Sequence, residues 1–247
     1  MGKRRSKNNL TKLIITLSIV AIFAIASYFG IEIEEYLNDI SNKYKISYTT
    51  SFDLNSIPEF TDEPYVVVNN NQPEFSEEDF TRDVFEEYRE LDYLGRCGPA
   101  FAKVGIETMP TEERGEIGGV KPSGWQTVKY DNVEGKYLYN RCHLIGYQLT
   151  AENANERNLI TGTRYMNVQG MLPFENMVAE YIRKTNNHVL YRVTPIFEGE
   201  NLVSRGVQIE AKSVEDNGKA ICFNVYVYNN QPEININYSN GDSNLIK

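Results

Sequence analysis

The sequence predicts an α+β fold: a mixed, mainly antiparallel sheet core, preceded by an N-terminal transmembrane helix. Three observations predict it. Segments 188–194, 202–211 and 220–228 alternate apolar and polar residues with turn-forming residues between them, the pattern of antiparallel strands. Phe174, Met177, Val178, Tyr181 and Ile182 recur at helical spacing after Pro173. From Leu13 to Gly30 the chain is uncharged and mostly apolar.

That last run lies in residues 10–30 and is long enough to cross a bilayer core, which takes about 20 apolar residues. Lys3, Arg4, Arg5 and Lys7 precede it without an acid, and this charge asymmetry keeps residues 1–9 in the cytoplasm. A cleaved signal peptide has the same layout, and Ala24-Ile25-Ala26 would serve as its cleavage site. The length of the run favours the retained anchor. The rest of the chain is expected on the outer face of the membrane, or secreted if the segment is cut. Residues 31–56, polar and of mixed charge, read as a stalk, and residues 57–247 as the folded domain.

Within that domain Tyr65-Val66-Val67-Val68 reads as a short strand and Asn69-Asn70-Asn71 as a turn. Ser76-Glu77-Glu78-Asp79 reads as a helix start, since acids favour the first turn, and Phe80, Val84, Phe85 and Tyr88 continue it at helical spacing. A strand is expected over 93–102, then a loop rich in Gly, Pro and charge over 108–124. Another strand is expected over 125–130, ending at the turn Asp131-Asn132, and one from Tyr137 that ends at Arg141-Cys142-His143. Helical stretches are expected over 163–171 and after Pro173, a residue well tolerated in a first helical turn.

Charge narrows the function. The whole chain carries −9, and its first thirty residues carry +5, so the remainder stands near −14. This excludes a protein that holds nucleic acid by a strongly basic surface. It does not exclude a catalytic site with a local basic rim. Residues 120–170 hold Lys121, Lys129, Lys136, Arg141, Arg157 and Arg164 against Asp131, Glu134, Glu152 and Glu156. Cys97, Cys142 and Cys222 form no CxxC pair, and one thiol must remain over in any disulfide scheme.

The densest chemistry lies in Tyr139-Asn140-Arg141-Cys142-His143, Asn158, Asn167 and Glu175. Hydrolysis of a phosphodiester needs an activated water, charge neutralisation at phosphorus and help for the departing oxygen. A neutral imidazole can take the water's proton near pH 7. A divalent cation can polarise the phosphate, and magnesium needs only one or two protein oxygens. Residue types alone leave other readings open. Asn158 also suits a loop brace or cap, Asn167 a cap, and Glu175 a favourable acid at a helix N-terminus.

Asn140-Arg141-Cys142-His143 resembles the Asp-Arg-Gly-His motif of the DNA/RNA non-specific endonucleases with a ββα-metal site. Asn158-Leu159-Ile160-Thr161 is similar to the Asn-Ile-Thr segment that follows in that family, and Asn167 and Glu175 stand at matching positions. The run 158–175 resembles the exported streptococcal and clostridial DNases in particular, and the resemblance extends over about residues 57–230. It implies a ββα-metal nuclease motif within the fold and a sequence-non-specific endonuclease acting on DNA, with RNA as a second candidate substrate. It further implies His143 as general base, Asn167 as ligand of Mg2+ (Mn2+ as substitute), and Glu175 positioning the metal's waters. Asn158 would support the histidine loop or the metal shell. Arg141 would either fix the motif or contact phosphate. Arg114 and Arg164 are candidate substrate contacts.

Two departures stand out: Asn140 where the family has Asp, and Cys142 where it has Gly. The resemblance implies that Asn140 orients His143 through its amide oxygen. Cys142 either lines the site or pairs with Cys97. The alternative function is an anchored module that captures nucleic acid without cutting it, for instance in DNA uptake. A serine esterase or zinc peptidase is disfavoured, because neither GxSxG nor HExxH occurs.

Overall fold

The computed structural model describes residues 57–61 and 63–246. The anchor and stalk expected over 10–56 lie outside the described residues. Among the described residues no helix is long and apolar enough to cross a membrane.

A six-stranded antiparallel sheet forms the centre. Its strands are β1 (Tyr65–Val67), β2 (Phe85–Tyr88), β3 (Ala100–Val104), β6 (Val189–Ile196), β7 (Gly206–Ser213) and β8 (Cys222–Tyr228), in the order β1-β8-β7-β6-β3-β2. The expected C-terminal strands are present, and the register Tyr191↔Ala211 and Ala211↔Phe223 aligns their inward residues. Helix α3 (Leu172–Thr185) covers one face of this sheet. It buries Phe174, Met177, Val178, Tyr181 and Ile182, the set its spacing marked. Phe174 meets Tyr65 edge-on at 4.9 Å and Phe223 at 5.0 Å, so the helix is pinned to β1 and β8 at once. Full burial of one such ring is worth about 1.5–3 kcal/mol.

Strands β4 (Tyr139–His143) and β5 (Leu159–Thr163) form a separate antiparallel ribbon, with His143 opposite Leu159 and Tyr139 opposite Thr163. A π-helical turn, Met166–Met171, joins β5 to α3, giving a β–β–α unit. The free edge of β5 meets side chains instead of another strand. Asn229 Oδ1 accepts from Thr163 N, and Asn229 Nδ2 donates to Thr161 O. These bonds tie the ribbon to the end of β8.

Three expectations need correction. The helix beginning at Ser76 does not reach Tyr88. Ser76 and Asp79 form a capping box for α1 (Glu77–Thr81), but Arg82 is already extended and β2 follows. Phe85 packs edge-on against Phe101 at 4.9 Å, and β2 pairs with β3. Strand pairing and aromatic contact outweigh the local period there, and Glu86 and Glu87 give the strand a charged edge. The strand expected from Tyr93 starts only at Ala100. Asp92 Oδ1 accepts from the backbone N–H of both Leu94 and Arg96, and closes a turn with Gly95 at φ 74°. The strand expected over 125–130 is absent. A single bridge, Lys129 to Tyr137, remains. Trp125, Val128 and Tyr130 instead pack around Val133, Leu138, Tyr139 and Ile234. The C-terminal hairpin of β9 (Ile234–Ile236) and β10 (Ser243–Leu245) supplies part of that cluster.

Candidate active site

His143 ends β4 and is buried, with 6 % exposure. Both ring nitrogens have partners. Nε2 lies 2.7 Å from the backbone oxygen of Asn153, and Nδ1 lies 3.2 Å from Arg114 Nη2. A carbonyl only accepts and a guanidinium only donates. The neutral ring therefore carries its proton on Nε2, and the lone pair of Nδ1 faces Arg114. Burial pushes the imidazole down to about 4. The Asn153 hydrogen bond opposes this, and the Arg114 charge adds to it.

Asn158 braces the segment just after His143. It is fully buried, its Oδ1 accepts from Ile145 N at 2.9 Å, and its Nδ2 donates to Ile145 O at 2.9 Å. Its own backbone oxygen accepts from Leu144 N. A short helix, α2 (Tyr147–Thr150), follows. Gly146 at its cap has a specific spatial reason: a methyl group there would overlap the Glu175 carboxylate.

Glu175 sits in the first turn of α3 and is buried. Burial pushes its carboxyl up to about 7, against the pull of Gln148 and of the Arg114 charge. Arg114 thus connects three groups. It touches His143, and its charge acts on both Glu175 and the Cys142 thiol. Its loop is exposed yet latched at several carbonyls. Tyr147 Oη donates to Glu112 O, and Asn153 Nδ2 donates to Glu116 O. Arg141 donates to Val120 O and to Gly118 O.

Arg141 therefore acts on the loop that carries Arg114. Its guanidinium also lies 4.0 Å over the Trp125 ring, which keeps that indole from serving as an open stacking platform. Asn167 lies on the π-helical turn, where wide i→i+5 turns frequently mark functional positions. Its Nδ2 donates to Asn140 Oδ1 at 3.2 Å. Asn140 does not hold His143, contrary to expectation: the ring's partners are Asn153 and Arg114. Arg164 follows β5, makes a long 3.6 Å ion pair with exposed Glu134, and has a buried Nε without a hydrogen-bond partner among the described residues.

Cys142 does not pair with Cys97, and all three cysteines are free. Its buried sulfur lies over Gly162 on the neighbouring strand, where a methyl group would overlap it. Cys142 is fully buried and both its Cβ and sulfur would meet the added methyl group, so Gly162→Ala is expected to cost about 1–3 kcal/mol by overpacking. Cys142→Gly in the same chain should return most of that loss. Urea unfolding of the two single variants and the double variant measures the coupling.

A sequence model of the DNA/RNA non-specific endonucleases matches residues 78–215, more than half of the chain. The chain belongs to the DNA/RNA non-specific endonuclease family. It is an endonuclease, a phosphodiester hydrolase. The matched span contains β2 to β7, the whole β–β–α unit and every candidate residue above. NucA from Streptococcus agalactiae, solved with no metal and with magnesium bound, superposes with a TM-score of 0.67 at 24% identity. That match covers 86% of this chain and 96% of NucA. The Sda1 nuclease with bound zinc gives 0.57 at 27% identity over 75% of this chain and 97% of its own. No curated protein matches the chain.

Two contributors to this candidate site lie beyond residue-type reasoning. Asn153 acts on His143 through its backbone oxygen, so its side chain carries no signal of the role. Gly146 acts by the space it leaves. It stands three residues after His143, and that proximity was the one available clue.

Proposed function

We propose that this endonuclease cleaves DNA without sequence preference, and RNA as a second substrate, using His143 as general base and a divalent cation held by Asn167. The observation that carries the reading is the state of the His143 ring: proton fixed on Nε2, lone pair at Nδ1, and neutral at physiological pH. Nδ1 takes the proton of a water as its oxygen bonds to phosphorus, and the bond from phosphorus to the 3′ oxygen breaks. Asn153 holds the ring through Nε2 as positive charge develops on it. Arg114 is the group we assign to the phosphate, since negative phosphate oxygens are stronger acceptors than a neutral imidazole. Asn158 and Arg141 keep the segments bearing His143 and Arg114 in place. Arg164 is assigned to a flanking phosphate, because its long pair with Glu134 can be exchanged.

The residues fit a hard divalent cation. Asn167 Oδ1 accepts no hydrogen bond among the described residues, and a buried carboxyl, Glu175, occupies the space left by Gly146. Oxygen donors of this kind suit Mg2+, with Mn2+ as substitute. Bound there, the cation supplies positive charge to the phosphate and the departing oxygen. Magnesium in NucA and zinc in Sda1 support a metal in the related folds. We further propose that the enzyme works outside the cell, tethered by residues 10–30. Extracellular nucleases among the similar structures support export.

Plasmid digestion tests the reading. Wild type should cut with Mg2+ and stop in excess EDTA. Asn167→Ala should need at least about tenfold more Mg2+ for half-maximal rate. Cutting that persists in excess chelator would exclude the metal role, and binding without cutting under all conditions would favour a capture module.

A further inference from the structure

Asn140 has a partner that its place in the motif did not suggest. Its oxygen accepts from Asn167 Nδ2 across 27 positions of sequence, while His143 is held at both nitrogens by other groups. We infer that Asn140 is a positioning residue for the Asn167 amide, and that an asparagine there makes the hold reversible where a carboxylate would make it fixed. This rests on Asn167 being the cation's ligand.

An amide has a donor end and an acceptor end, and only the oxygen can bind a cation. A neighbour that fixes the NH2 group therefore decides where the oxygen points. A carboxylate accepts only, so it enforces one orientation. Asn140 can accept through Oδ1 or donate through Nδ2. If both amides turn over together, the hydrogen bond between them survives, but Asn167 Oδ1 is consumed by Asn140 and its NH2 group takes the oxygen's place. The arrangement in the structure is the competent one. The two share the same pair contact, so the reversed form is the natural competitor. Apparent affinity falls by the fraction that is competent, and an even split would weaken binding about twofold. The departure from Asp thus acts on cation affinity and leaves the base untouched.

The test is Mn2+ binding to the full chain in detergent, read from the electron paramagnetic resonance of free Mn2+, with no turnover involved. Asn140→Asp should tighten binding by at least about twofold, as the amide is locked and the local charge becomes favourable. Asn140→Leu, which removes the acceptor without changing charge, should weaken binding about tenfold, the usual scale for losing a partner behind a metal ligand. Asn140→Ala gives the same reading if leucine impairs folding. Affinity unchanged in the leucine or alanine variant, or no tighter in Asn140→Asp, overturns the inference. Asn167→Ala separates the two levels: if it binds Mn2+ as wild type does, the ligand assignment itself fails.

Discussion

His143→Ala is expected to lower kcat/KM for DNA cleavage by about a thousandfold, within the roughly 10²–10⁴ that a positioned general base contributes. The physical reason lies in the ring's two contacts. The backbone oxygen of Asn153 accepts a hydrogen bond from Nε2–H, so the variant loses both the basic lone pair and the brace that aims it. The second histidine, His188, is engaged at both ring nitrogens by Glu215 and Glu107 and does not replace it. Stability should fall by less than activity does. The deletion leaves a small cavity and one carbonyl without its donor, together about 1–3 kcal/mol. The cavity also offers a direct check. Added imidazole should restore part of the rate to His143→Ala above the pH at which free imidazole is neutral, and should not restore it to Asn167→Ala. Full activity in the alanine variant would sink the mechanism.

The residues differ in how plainly the sequence announced them. Strands β6 to β8 were legible from their apolar residues and bounding turns: buried and partly buried positions alternate over the second half of β6, while β8 is buried at every position after Cys222. The buried face of α3 was legible for the same reason at another period. Phe85 was not, because its fate depends on Phe101, which lies sixteen residues on and cannot be weighed by a local window. Within the site, Arg114 lies against the His143 ring as a candidate loop arginine could. Arg141 had two open readings, and its bonds to the carbonyls of Gly118 and Val120 support the structural one. The partners of Asn140 and Cys142 were beyond reach. Each of these two residues makes one long-range contact, Asn140 with Asn167 and Cys142 with the bare Cα of Gly162, which no spacing rule records.

The apo enzyme should show a stability that is nearly independent of pH between 4.5 and 6.5 at this site, because two large terms of opposite sign cancel. His143 titrates at about 4, against 6.5 for a free imidazole, and Glu175 at about 7, against 4.5 for a free carboxyl. For His143 the unfolded chain binds the extra proton, so its contribution is present above pH 6.5 and is lost as pH falls through 4. For Glu175 the folded chain binds the extra proton, so its contribution is present below pH 4.5 and is lost as pH rises through 7. Each swing is about 3 kcal/mol, from 1.36 kcal/mol per unit. Single variants should expose what wild type hides. With chelator present, Glu175→Gln should gain about 3 kcal/mol relative to wild type as pH rises from 4.5 to 7, and His143→Gln should lose a similar amount relative to wild type from 4 to 6.5. Urea unfolding at several pH values reads both, since all other titrations are common to the three proteins. Parallel curves for wild type and Glu175→Gln would show that the carboxyl is ionised in the apo site. A bound cation favours the carboxylate, so Mg2+ should release close to one proton per site near pH 6, visible by calorimetry in two buffers of different ionisation heat. His143 is already neutral throughout that range. The acid limit of cleavage should therefore follow Glu175 and move to lower pH as Mg2+ is raised, a displacement that titration of the base alone does not produce.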